Sequence, residues 1–80
     1  MIPNNLQFVD KGKVIAEVGN TITFAYKGGR KVCGVVIWIT TNGIGLTLKT
    51  DYIGKNVEWF VGEEKDFNIK ECKNLKISQP

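Results

Sequence analysis

Histidine is absent from the chain, which removes Ser-His-Asp and Cys-His dyads and the side chain best suited to moving protons near neutral pH. Carboxylates cluster at Glu63, Glu64 and Asp66, beside Gly62 and Lys65 in a run of turn composition where solvated charge is their ordinary role. No catalytic residue is assigned, and the chain is expected not to be an enzyme. Cys33 and Cys72 stand 39 positions apart, too far and too few for a zinc site, which normally takes four ligands in close pairs. Two unlinked structural thiols, with no metal and no cofactor, are expected. The remaining chemistry is cationic: Lys27, Arg30 and Lys31 flank Gly28-Gly29. No phosphate-binding motif of the GxxxxGK[ST] or GxGxxG kind accompanies them. The ordinary reading is a flexible hairpin loop with solvated charges; the alternative is contact between those three cations and a nucleic-acid backbone. Among the aromatic residues, Trp38 and Trp59 are expected to pack inside. Tyr52, in a predicted loop, is the better candidate for a surface contact such as base stacking.

The elements that must position these residues are strands. Val, Ile and Thr total 23 residues against six Ala and Leu, and β-branched side chains favour a pleated surface over a helix. Residues 1–17 read as an N-terminal arm or irregular lead-in, with a short strand possible at Val14-Ile15-Ala16 before a turn at Gly19-Asn20. From Thr21 to Tyr26 apolar and polar residues alternate, as on a half-buried strand. Val32 to Ile39 is apolar on both faces, with Val32, Val36 and Trp38 opposite Cys33, Val35, Ile37 and Ile39. Asn42-Gly43 predicts a type I′ hairpin turn, returning through Ile44, Leu46 and Leu48, with Gly45 marking a bulge or a close backbone approach. A loop from Thr50 to Asn56, a strand through Val57, Trp59 and Val61, a single 3₁₀ turn within Lys70–Asn74 and a closing edge strand Leu75–Ile77 follow.

Five to six short antiparallel strands in so small a chain predict an all-β fold, a small SH3-like barrel over residues 18–77, with 78–80 as a tail. Its expected core holds Ile22, Phe24, Val36, Leu46, Leu48 and Val57. A chain of 80 residues has room for one core, so a shallow surface site is expected rather than a deep pocket. The net charge of +3 permits an anionic partner without requiring one. No signal-peptide pattern and no apolar run near 18 residues occur, so a cytoplasmic protein with no membrane partner is expected.

Residues 18–48, with a turn glycine at Gly19, the Gly/Lys loop, Gly34-Val35-Val36 and Asn42-Gly43, resemble the KOW-type segment of SH3-like barrels. Over Val18 to Ile77 the chain resembles the small, uncharacterised YkvS-like proteins of Gram-positive bacteria. The shared features are Val18-Gly19, Ile22, Phe24, Asn42, Tyr52 and the segment Asn68 through Ile77. The resemblance implies a compact barrel and supplies no catalytic residue. KOW-like domains often contact RNA or proteins through their loops. The expected function is a non-enzymatic binding module that contacts RNA or a ribonucleoprotein through Lys27, Arg30, Lys31 and Tyr52. The alternative is a protein–protein adaptor using a sheet edge or the Tyr52 loop.

Overall fold

The computed structural model describes residues 7–10 and 12–78. Among these residues it is all-β, with nine strands: β1 (Gln7–Asp10), β2 (Lys13–Glu17), β3 (Thr21–Ala25), β4 (Lys31–Ile39), β5 (Gly43–Leu48), β6 (Tyr52–Ile53), β7 (Glu58–Trp59), β8 (Glu64–Asn68) and β9 (Lys73–Ser78). One-turn 3₁₀ segments at Lys27–Gly29 and Ile69–Glu71 precede β4 and β9. Five strands form one antiparallel sheet in the order β8-β5-β4-β3-β9. A four-strand meander whose fifth strand returns to its first, by way of a 3₁₀ turn, is the SH3-like order. Among the described residues no helix is long and apolar enough to cross a membrane.

Period-2 alternation builds the core. In β3, Ile22 and Phe24 are buried while Thr21, Thr23 and Ala25 face outward. Val32, Val36, Leu46 and Leu48 join them from β4 and β5, each at most 1% exposed. Burial of these aliphatic side chains contributes about 1.5–3 kcal/mol apiece. The alternation predicted through β4 fails at its far end. Val36 pairs with Leu46 and Trp38 with Gly45, so Ile37 is an extra residue and the faces swap there. Ile39 thereby joins Val36 in the core, and Trp38 lies over Gly45, where any Cβ would collide with the indole.

The Asn42-Gly43 hairpin forms, but not as a type I′ turn. Neither residue has positive φ. The Thr40 N–H donates to Gly43 O at 2.9 Å, and the Gly43 N–H donates to the Thr40 hydroxyl at 3.1 Å. Glycine is required at 43 because a Cβ there would meet the Phe67 carbonyl oxygen of β8.

Val57 is a correction to the expected core. It is 38% exposed, because the expected strand through 57–61 is only the two-residue β7, and Val57 sits in the hairpin turn where its carbonyl accepts from the Gly54 N–H. The expected 50–56 loop likewise contains β6, paired to β7 as Tyr52↔Trp59 and Ile53↔Glu58. Within the segment read as an N-terminal arm, β1 and β2 pair as a hairpin, and Ala16 is fully buried in the core. The expectations for residues 1–6, 11, 79 and 80 lie outside the described residues.

Candidate nucleic-acid interface

Tyr26 to Arg30 forms a hydrogen-bonded turn. The Gly29 N–H donates to Tyr26 O and the Tyr26 N–H to Arg30 O, both at 2.8 Å, closing the 3₁₀ segment. Gly28 and Gly29 take φ of 73° and 80°, the left-handed region that glycine enters without steric cost. Lys27 and Arg30 are exposed on this turn, whereas Lys31 already belongs to β4. Lys27 is partly occupied. Its Nζ lies 3.8 Å from Glu71 Oε2 and 5.6 Å from the centre of the Tyr26 ring.

Tyr52 is not a surface aromatic, contrary to the sequence expectation. It is 6% exposed, because β6 turns its ring inward onto Trp59, stacked at 4.8 Å and 29°. Tyr26 meets Tyr52 edge-on at 5.8 Å and Phe67 at 5.0 Å, and Phe24 meets Phe67 at 5.1 Å, so five rings form one continuous cluster. Each such pair adds about 0.5–1.5 kcal/mol beyond its buried area. These rings are engaged with one another, leaving no stacking platform for bases at Tyr52. Its edge still borders an open groove of about 440 Å³ shared with Lys27, Arg30 and Lys55, so the structure does bring three of the four expected residues to one concavity.

The sequence reading missed a second set of cations. Lys70 and Lys73 border an open groove of about 550 Å³ together with Lys27 and Tyr26. Lys31 and Lys76 border an adjoining one of about 240 Å³ together with Thr23 and Asn74. Six of the chain's eleven cations thus come from two short segments, 27–31 and 70–76, that the return of β9 to β3 lays side by side. Nothing local in the sequence signals that juxtaposition, because it depends on which strand β9 pairs with.

Of the clustered carboxylates Glu63 has structural partners, as does Asp51 nearby. A Glu63 carboxylate oxygen accepts from the Phe60 N–H and lies 3.5 Å from Lys65 Nζ at its other oxygen. Asp51 accepts from the Val61 N–H at 3.0 Å. Both cysteines are free. Burial, with Glu71 beside it, pushes the Cys72 thiol up to about 12, and its Sγ lies 3.5 Å from Asn68 O as a donor. Among the described residues no group of three or more acidic or cysteine side chains is arranged to hold a metal ion. No family model, curated protein or solved structure matches the chain.

Proposed function

We propose that the chain is a non-enzymatic, cytoplasmic contact module that binds the phosphate backbone of RNA, free or within a ribonucleoprotein. The observation that supports this most is the convergence of cations from residues 27–31 and 70–76 on adjoining open grooves. Shallow, solvent-exposed lysines and arginine suit sequence-blind phosphate contact, and the inward packing of the aromatic cluster argues against base-specific stacking. The KOW-like and YkvS-like resemblances belong to the same proposal. Some three phosphate contacts give a log–log salt slope of about −2 on single-stranded RNA, at ~0.7 per contact, with affinity in the micromolar range or weaker. Replacing Lys27, Arg30 and Lys31 with Gln, and following a labelled mixed-sequence RNA by fluorescence anisotropy from 50 to 200 mM salt, should make that dependence shallower. Unchanged affinity and slope would overturn the assignment of these residues.

A protein–protein adaptor is the second reading, favoured by a specific feature. Ile53, Val57, Phe60 and Val61 are 38–60% exposed on and beside the β6–β7 hairpin that carries Tyr52. Apolar side chains concentrated on one small hairpin suit a protein partner better than a phosphate backbone.

A further inference from the structure

We propose that the phosphate track lies on the outer face of the sheet, along β3 between the lysines of β4 and β9, and that a bulge at Asn74 builds it. This rests on the nucleic-acid reading and moves its centre from the 27–30 turn to the sheet.

The register defines the face. Lys31 pairs with Ala25 and Ala25 with Lys73, so these three side chains form one row across three strands. Cys33, Thr23 and Lys76 form the next row. The Lys49 N–H donates to Cys33 O at 2.9 Å, which sets Lys49 beside that second row. Strand spacing places the flanking lysine backbones about 10 Å apart across β3, with successive rows ~7 Å apart along it. The floor between them is low, made of Ala25 and Thr23, whose hydroxyl can donate to a phosphate oxygen.

Lys73 and Lys76 are three residues apart, and on a regular strand they would point to opposite faces. They do not, because Asn74 and Leu75 together oppose Phe24: Thr23 pairs with Lys76 while Ala25 pairs with Lys73. Asn74 sits at φ 56°, and it is the only non-glycine residue at positive φ among those described. Asparagine tolerates that region better than most side chains. The bulge lets Leu75 and Ile77 pack against the core while both lysines stay on the outside.

Around β3 the charge on this face is of one sign: β3, β4, β5 and β9 contain no Asp or Glu, and the acidic residues of the sheet, Glu64 and Asp66, lie on β8 at the opposite edge. No ion pair engages Lys31, Lys49, Lys73 or Lys76 among the described residues, whereas Lys27 on the 3₁₀ turn leans on Glu71. An anionic backbone seated along β3 would therefore meet four uncompensated lysines. A different role for Lys73 and Lys76, keeping the free edge of β9 from pairing with another chain, is the competing explanation.

Two double variants separate these possibilities: Lys73→Gln with Lys76→Gln on the face, and Lys27→Gln with Arg30→Gln on the turn, with Lys31 intact in both. Binding of a fluorescein-labelled mixed-sequence RNA 12-mer is measured between 50 and 200 mM salt, with folding checked by near-UV circular dichroism. The face variant should lose about 1.4 of log–log slope, at ~0.7 per lysine, and the turn variant less than about 0.7. Asn74→Gly should bind as the wild type, since glycine also takes positive φ, whereas Asn74→Val should lose slope like the face variant. If the turn variant carries the loss and the face variant none, the track is overturned while the RNA reading stands. Unchanged binding with increased aggregation of the face variant assigns these lysines to edge protection and overturns the track. A wild-type chain that fails to bind the RNA at 50 mM salt overturns both readings.

Discussion

Replacing Gly43 by alanine and, separately, by asparagine distinguishes two reasons for a glycine in the 39–44 hairpin. A type I′ turn would need positive φ, which asparagine tolerates; a close approach of strands excludes any side chain. The structure supports the second reason. A Cβ at Gly43 would collide with the Phe67 carbonyl oxygen and lie 3.2 Å from Phe67 C and 3.4 Å from Asn68 Cα. These are backbone atoms of the paired strand β8, so relief requires β8 to move off β5. Overpacking of this kind costs about 1–3 kcal/mol, and the reduced freedom of the unfolded chain offsets ~0.4–1 kcal/mol of it. A net loss of about 1–2 kcal/mol corresponds to a Tm drop of about 4–16 °C in a domain of this size. Urea unfolding followed by tryptophan fluorescence should find Gly43→Asn no more stable than Gly43→Ala. At Gly62, with φ 93° and open space around a Cβ, asparagine should instead be the better tolerated of the two. Wild-type stability of Gly43→Asn beside a destabilised Gly43→Ala would refute the close-approach argument.

Tyr52→Phe should leave both stability and RNA affinity close to wild type, whereas Tyr52→Ala should cost about 3 kcal/mol or more in urea unfolding, because the ring is buried against Trp59. In the folded chain Cys72 should resist iodoacetamide at pH 8, and mass spectrometry should find two free thiols per chain after unfolding without reductant. The raised thiol pKa also fixes a sign: the folded state holds the Cys72 proton more tightly than the unfolded one. Its contribution to stability is present below about pH 9 and is lost as pH rises towards about 12, which denaturant titrations across that range can follow. Phe60→Ser with Val61→Ser, both at exposed positions, should change stability by less than about 0.5 kcal/mol per site and leave RNA binding intact. Loss of RNA binding in that variant would shift weight to the β6–β7 hairpin as the interface.

Where local patterning decides structure, the sequence was informative. Ile22 and Phe24 alternate with Thr21, Thr23 and Ala25 on a strand buried on one side; the 3₁₀ turn expected at Lys70–Asn74 forms earlier, at Ile69–Glu71, where the Asn68 side chain accepts from the Lys70 N–H at 3.0 Å. Gly45 marked a bulge or a close backbone approach; the register shift lies in the paired strand β4 at Ile37, and the space over Gly45 is filled by the Trp38 indole rather than by backbone. The reading failed where a residue's role depends on a distant strand. Gly43 looked like a turn glycine because the Phe67 carbonyl that crowds it lies 24 positions away. Val57 looked like core because the alternation through Trp59 and Val61 does not reveal that β7 stops after two residues. Tyr52 looked exposed because a loop composition hides a short β6 that pairs with Trp59. For the candidate interface, Lys27, Arg30 and Lys31 were visible as a basic cluster. Lys73 and Lys76 were not, since the spacing Lys-Asn-Leu-Lys assigns them to opposite faces until the bulge at Asn74 is known.

The account is tested most directly by an NMR titration of the ¹⁵N-labelled chain with mixed-sequence single-stranded RNA at low salt. Amide shifts should concentrate at residues 23–33 and 70–76 and reverse as salt is raised. No shifts in those segments, or shifts confined to 53–61, would contradict the assignment of this basic surface to nucleic acid.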